Sequence, residues 1–338
     1  MNILVTGGTG YIGSHTVVEL INAGYQVHII DNLSNSSINM LDRIREITGT
    51  KPDFTELDLR VKSDVLDFFA KHTNIDGCIH FAALKSVGKS VKSPLKYYEN
   101  NITGTNNLLE GLRTYGIGNL VFSSSATVYG APDELPVTED SPIGFTPSPY
   151  GATKQICERI IEDFSYSTKG FTAISLRYFN PIGAHKSGLI GELPTCIPNN
   201  LMPYITQTAA GIRESLSVFG SDYDTIDGTG VRDYVHVSDV AVAHVKAIEF
   251  LSKNNDKHHL KINVGTGRGS SVLEVIKSFE KTNELQLNYQ MSPRREGDVA
   301  SVYADVSLSE KLLGWKATYS LDDMTRSAWQ WEKKFRNL

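Results

Sequence analysis

The chain opens on a short apolar run, Ile3-Leu4-Val5, that turns directly into Thr6-Gly7-Gly8-Thr9-Gly10-Tyr11-Ile12-Gly13. A glycine loop between a buried strand and a helix places free backbone N–H groups and the positive end of the helix dipole against an anion. That arrangement suits a dinucleotide pyrophosphate. Glycine patterns of this kind also serve ordinary turns, so the context decides. Residues 14–24 carry apolar side chains at helical spacing and stop at Gly24. Residues 25–30 then read as a second strand ending in Asp31, eighteen residues beyond Gly13. A carboxylate at that spacing accepts from the adenosine ribose hydroxyls and repels a 2′-phosphate, which favours NAD over NADP.

Much later the chain offers Tyr150-Gly151-Ala152-Thr153-Lys154. A tyrosine followed four positions on by a lysine puts a phenol and an ammonium on one helix face, where the cation can favour phenolate. Beside a dinucleotide loop, that pair suggests proton transfer rather than a surface tyrosine and a solvated charge.

The 338 residues suffice for a substantial core and two lobes, and 40% hydrophobic with 21% charged is ordinary for a globular protein. A net charge of -5 and a pI near 6.0 argue against a nucleic-acid surface, so local Arg, Lys and backbone amides must hold any anionic ligand. No run approaches the ~20 apolar residues of a membrane span, and no basic-plus-apolar leader precedes the first strand. A cytoplasmic protein is expected. Cys78, Cys157 and Cys196 are widely separated without metal-ligand spacing. Reduced, mostly buried thiols and no metal are therefore expected.

Buried strands are expected at 3–6, 27–31, 77–81, 120–124 and 173–178, alternating with helical segments. The fold class is thus α/β, a Rossmann-type doubly wound parallel sheet, with the ligand at the carboxyl ends of the strands. Beyond Tyr178 the texture changes to Asn, Pro and Gly punctuation, as in Asn180-Pro181-Ile182-Gly183. The expected division is a nucleotide-binding domain over 1–180 and a smaller substrate-binding lobe over 181–338, with segments near 235–265 returning to the first domain. His80 and His236 lie in apolar strands and read as core residues rather than general bases. Ser123 and Ser124 read as turn and strand-end residues. The polar run 253–261, with His258 and His259, reads as a solvated loop, and the ending Lys333-Lys334-Phe335-Arg336 as an exposed tail.

The stretches 6–15 (TGGTGYIGSH), 80–87 (HFAALKSV), 123–130 (SSSATVYG), 148–154 (SPYGATK), 176–180 (LRYFN), 197–203 (IPNNLMP), 227–237 (DGTGVRDYVHV) and 293–298 (PRREGD) cover nearly the whole chain. In them the chain resembles the extended short-chain dehydrogenase/reductase superfamily and, within it, the UDP-glucose 4-epimerase family. The resemblance implies reversible C4 epimerisation of UDP-hexoses by an NAD-dependent isomerase. A sugar C4 without an acidic hydrogen cannot be inverted by proton abstraction alone, whereas transient oxidation to a 4-keto sugar, with enzyme-held NADH, makes that carbon planar. By resemblance Tyr150 is the base for the C4 hydroxyl and Ser125 assists at the same hydroxyl. Lys154 would lower the Tyr150 pKa from about 10 and hold the nicotinamide ribose.

The resemblance further implies Gly7, Gly10, Tyr11, Ile12 and Gly13 at the pyrophosphate, Asp31 and Asn32 at the adenosine ribose, and Asp58 and Leu59 at the adenine edge. Phe81, Ala82, Lys85, Asn100 and Phe179 complete the cofactor site. Lys85, Asn180, Asn200 and Leu201 go to the sugar and phosphates, Ser217, Val218 and Phe219 to uracil, Arg232 and Arg295 to the diphosphate, and Asp298 to the uridine ribose. Arg294 reads as structural. A homodimer through a helix bundle is implied as well.

Nucleotide-sugar dehydratases of the superfamily place acidic residues just after the strand-end Ser or Thr, where this chain has Ala126 and Thr127. Elimination then has no evident acid and base, which ranks the dehydratase second. A net oxidoreductase that releases its reduced cofactor follows, and a non-catalytic NAD-binding regulator of sugar metabolism comes last. Family members restricted to glucose and galactose carry a bulky Tyr where this chain aligns Val302. The small residue implies that UDP-GlcNAc and UDP-GalNAc are interconverted too.

Overall fold

The computed structural model describes residues 1–194, 198, 200–254, 258–295 and 297–338, so Cys196 and parts of the stretches 197–203 and 293–298 lie outside the described residues. The chain sets out β1 (Asn2–Thr6), β2 (Gln26–Asp31), β3 (Asp53–Glu56), β4 (Gly77–His80), β5 (Asn119–Ser125) and β6 (Thr172–Tyr178). The short strands β7 (Asn180–Ile182), β8 (Leu216–Phe219), β9 (Val231–Arg232) and β10 (Tyr234–His236) then precede β11 (His259–Val264). One seven-stranded sheet runs in the order β11-β6-β5-β4-β1-β2-β3, and every pairing in it is parallel.

A parallel sheet is covered on both faces, which is why the central strands β1, β4, β5 and β6 are buried at nearly every position. Alternate side chains divide between two cores. Ile3, Val5, Ile29, Ile79, Val121, Ile174 and Leu176 face one way, packed under α1 (Tyr11–Asn22), α2 (Met40–Thr48) and a later helix, Val237–Leu251. Leu4, Ile30, Cys78, Leu120, Phe122 and Ala173 face the other, under α3 (Lys62–Lys71) and two further helices. Those follow the short α4 (Val87–Lys92) and α5 (Pro94–Tyr98), and are α6 (Gly104–Thr114) and α7 (Pro149–Ser167).

The second lobe centres on α8 (Leu201–Ala209), with α9 (Val237–Leu251) returning to cover the main sheet. After β12 (Ser270–Ser271), α10 (Val272–Asn283), β13 (Tyr289–Ser292) and β14 (Ser301–Val302), the chain ends in α11 (Ser307–Leu313) and α12 (Leu321–Arg336). Ile205, Val218, Val275, Phe279, Met324 and Trp329 form the core of this lobe. Three small sheets, β7-β10, β12-β9-β14 and β8-β13, complete the strand pairings.

Two expectations are corrected. His259 opens β11, where its ring nitrogen meets the Ser175 hydroxyl at 2.8 Å, so it is no loop residue. Burial drives its pKa down to about 3. The chain end is the last turn of α12: Phe335 stacks on Trp331 with centroids 5.2 Å apart, and Arg336 holds Glu332 at 2.5 Å. Charge masks the partner in each segment, which lies on a neighbouring strand for His259 and one turn back in the same helix for Phe335 and Arg336.

One turn beyond Lys154 on α7, Glu158 is buried with Arg177 of β6. Its carboxylate takes two guanidinium hydrogen bonds, at 2.6 and 3.0 Å, and a third from the Ser124 hydroxyl at 2.5 Å. Arg177 also donates to the Tyr129 hydroxyl, which donates to Asn263 of β11. Removing one member of a buried pair strands the other's charge. Arg177→Leu is therefore expected to cost roughly 3–5 kcal/mol of unfolding free energy in urea titrations. Arg177→Leu combined with Glu158→Leu should recover a large part of that loss.

Candidate active site

The sheet order brings the carboxyl ends of β6, β5, β4, β1 and β2 side by side. The residues that follow those strands therefore share one crevice, the position at which open α/β sheets hold ligands.

Gly7 turns the chain at φ 72°, and a Cβ there would lie 2.7 Å from the Ala82 backbone nitrogen. A Cβ on Gly13 would lie 2.3 Å from the Gly7 carbonyl oxygen. Only glycine permits this closeness. Gly10 caps α1 without a side-chain hydrogen bond, and the first turn, with Tyr11 and Ile12, carries no acidic residue. The leading N–H groups of α1 thus keep their capacity for an anion, and the loop fits a pyrophosphate.

Asp31, buried at the end of β2, accepts from the Leu33 N–H at 3.0 Å, the Ser36 hydroxyl at 3.1 Å and the Thr9 N–H at 3.3 Å. It ties the glycine loop to the following turn, and a carboxylate offers about four acceptor positions, so capacity for a ribose hydroxyl remains. Asn32 reaches Asp58 at 3.3 Å, and the Arg60 guanidinium holds the Asp58 carboxyl down at about 2. Leu59 is buried beside them. Across the crevice, Ala82 lies against Gly7, Phe81 meets the ring of His244 at 4.6 Å, and Asn100 reaches Asn101 at 3.0 Å.

Ser125 ends β5 in register with Tyr178, so Phe179 and Asn180 emerge next to it. Its hydroxyl accepts from the Thr127 N–H at 3.2 Å. Ser148 caps α7 and Pro149 opens it, placing Tyr150 in the first turn with Lys154 one turn on. Burial pushes the Tyr150 phenol up to about 12, opposed by a hydrogen bond with Ser125. The Lys154 ammonium lies 5.9 Å from the Tyr150 ring centroid but donates to the Ser123 carbonyl at 2.6 Å. The expected lowering of the phenol by Lys154 does not hold in this arrangement. A buried ammonium needs an acceptor, and the strand-end carbonyl supplies one.

In the second lobe, Asp298 bridges both arginines, with Arg232 at 3.1 Å and Arg295 at 2.9 Å. The Arg295 guanidinium lies 5.2 Å over the Phe219 ring, and Ser217, Val218 and Phe219 form β8. Val302 pairs with Arg232 in β14 and packs in a cluster with Phe179 and Ala126. Arg294 instead grips exposed Asp222 at 2.7 Å and stacks on Tyr223. Asn200 starts α8 ahead of Leu201, and with Lys85 it meets Glu192.

The two strand histidines are satisfied core groups: His80 between Thr6 and Thr105, His236 against Ser327 and the Ser238 N–H. Burial lowers them to about 3 and about 4. Sequence reasoning passed over Glu158, Asn101 and Asp233. Glu158 continues the Tyr150/Lys154 face one turn further, a signal that was available. Asn101 links the Leu84 backbone to Thr153, and buried Asp233 accepts from Thr266, Gly267 and Ala304. Those roles depend on tertiary pairing and leave no local trace.

Residues 4–328 match the family described as GDP-mannose 4,6 dehydratase. UDP-glucose 4-epimerase of Haemophilus influenzae is 51% identical, covering 98% of both chains, and that of Bacillus subtilis is 52% identical over 98% and 97%. The chain belongs to the UDP-glucose 4-epimerase family. A Stenotrophomonas maltophila epimerase solved with NAD and formylated UDP-arabinopyranose superposes with TM-score 0.96 at 49% identity, covering 100% of this chain and 99% of that one. The Bifidobacterium longum epimerase solved with NAD+ and UDP gives 0.95 at 47%, with the same coverage. Within this epimerase family the broader dehydratase description marks shared ancestry of fold, since Ala126 and Thr127 carry no carboxylate at the strand end.

Burial lowers the Lys154 ammonium from its usual 10.5 to about 8. Between those values the unfolded chain binds the extra proton, so this group's contribution to stability rises with pH across that window. Raising the pH from 8 to 9.5 should stabilise the wild type relative to Lys154→Met by about 2 kcal/mol in denaturant titrations.

Proposed function

We propose that Tyr150 and Ser125 handle the C4 hydroxyl proton of a UDP-hexose, with Lys154 holding the strand end and the nicotinamide ribose beside them. The chain is an NAD-dependent UDP-glucose 4-epimerase, an isomerase acting at C4 of UDP-hexoses. One observation carries the assignment of roles. Tyr150 and Lys154 share a face of α7 next to Ser125, with no carboxylate at 126 or 127 to support elimination. NAD, when bound, supplies a reversible hydride acceptor and a positive ring charge that counters the burial of Tyr150. Tyr150 then takes the O4 proton as C4 becomes a ketone and returns it from the same atom. Ser125, hydrogen-bonded to the phenol, relays between that oxygen and the sugar.

Gly7, Gly10, Tyr11, Ile12 and Gly13 hold the pyrophosphate in this scheme, Asp31 and Asn32 the adenosine ribose, and Asp58 with Leu59 the adenine. Arg232 and Arg295, bridged by Asp298, offer two guanidinium forks to the substrate diphosphate, a role Lys could not fill bidentately. The β8 strand receives uracil, and Asn180, Asn200, Leu201 and Lys85 surround the sugar and phosphates. We assign nucleotide binding to 1–180, with α9 and β11 returning to it, and the UDP-sugar to the remainder. No helix among the described residues is long and apolar enough to cross a membrane, and we assign the enzyme to the cytoplasm. Val91 and Leu95, 59% and 80% exposed on α4 and α5, and Ile156 on α7 support a homodimer through these helices.

Proton NMR of the purified protein with UDP-galactose and no added NAD tests the chemistry. Appearance of UDP-glucose is expected, and its absence even with added NAD would overturn the assignment. Val302 packs in one cluster with Phe179 and Ala126, and a tyrosine in its place would narrow the proposed sugar pocket. UDP-N-acetylgalactosamine should therefore be epimerised as well. Val302→Tyr is expected to lower that activity at least about tenfold relative to UDP-galactose activity, within the discrimination that pocket size supports.

A further inference from the structure

Glu192 has no part in the scheme above, yet its carboxylate stands between groups from both halves of the site. Its Oε1 accepts from the Lys85 ammonium at 3.3 Å and from the Asn200 amide at 2.7 Å. Its Oε2 is buried with no hydrogen-bond partner among the described residues. The residue is fixed through its backbone. Gly191 pairs with Ala184 and leaves no room for a Cβ against the Trp331 ring, while the Trp331 indole donates to the Glu192 carbonyl at 3.2 Å. The neighbouring Tyr11 at the head of α1 feels the same charge, which adds to burial in raising its phenol.

A fixed carboxylate is a poor neighbour for a crevice that takes two diphosphates, because like charges in a partly desolvated site repel. The side chain is 12% exposed, whereas its partner Lys85 is 53% exposed and can move. We propose that Glu192 is a placeholder for the UDP-sugar: it holds Lys85 and Asn200 in the free site, yields both to the incoming ligand, and reclaims them to drive product release. The idea rests on the placement of Lys85 and Asn200 at the substrate. Glu192 touches neither substrate nor cofactor in this role and acts only through those two side chains. It limits affinity and speeds turnover.

The test is calorimetric titration of the NAD-loaded enzyme with UDP, together with kcat and KM for UDP-galactose. Glu192→Gln keeps an oxygen for Asn200 but removes the ion pair. It should bind UDP roughly fivefold more tightly, the upper range for a partly exposed pair. KM should fall by a similar factor, and kcat should fall as release slows. A merely structural residue would raise KM instead. Glu192→Asp, which keeps the charge, should stay within about twofold of wild-type affinity, and in a Lys85→Met background Glu192→Gln should change the affinity less than about twofold. Unchanged or weaker UDP binding by Glu192→Gln would overturn the proposal, as would a gain that persists without Lys85. Failure of the wild-type holoenzyme to bind UDP at all would instead overturn the substrate-site assignment on which the placeholder depends.

Discussion

The Glu158 carboxylate makes one rigid unit of β5, β6 and α7. It lies two turns beyond Tyr150 and one beyond Lys154 on the same face, and it joins Ser124 on one strand to Arg177 on the next. Lys154 adds a second tie from the same helix to the Ser123 carbonyl. Three successive serines are thus committed differently: Ser123 to Tyr178 and, through its carbonyl, to Lys154; Ser124 to Glu158; Ser125 to the phenol. The phenol and the strand-end hydroxyl are held in register by charges and hydrogen bonds beneath them. Ser125 adds its own bonds to the Thr127 N–H and to the phenol.

This support is costly in isolation, since ions removed from water regain their hydration only through good geometry. Arg177 has that geometry: two bonds to Glu158 and one to Tyr129, itself bonded to Asn263 at the sheet edge. The network runs from α7 across β6 to β11, so the returning segment of the chain completes it. The edge strand contributed from the second half of the sequence is therefore part of what holds the reactive strand end.

The parts of this fold that were legible in the sequence are those whose burial is written locally. Strands β1, β2, β4, β5 and β6 are apolar because both faces are covered, and the glycine loop is marked by positions where a side chain has no room. The edge strand β3, Asp-Phe-Thr-Glu, is half exposed and carries no such mark. The two-residue strands β9, β12 and β14 exist only by pairing with one another, and Asp233 matters only because Thr266, Gly267 and Ala304 converge on it. His259 was misread for the same reason: its neighbours are polar, and the Ser175 hydroxyl that satisfies it is 84 residues away. Most candidate site residues were legible through motif resemblance, whereas Glu192 belongs to no quoted motif and gains meaning only from Lys85 and Asn200.

Small strand β14 shows how sugar selection can be separated from the chemistry. Val302 pairs with Arg232 through the backbone, so its register follows that of the arginine proposed to hold the diphosphate. Its side chain packs against the cluster of Phe179, Val128 and Tyr129, and Tyr129 is where that cluster meets the Arg177 network. On the proposed placement of the sugar, a change of size at 302 alters the space beside C4, while the bonds of Glu158 to Ser124 and Arg177 are made on α7, β5 and β6. In the proposed arrangement the main sheet carries the reacting groups, and a two-residue strand from the second lobe sets which sugar can reach them.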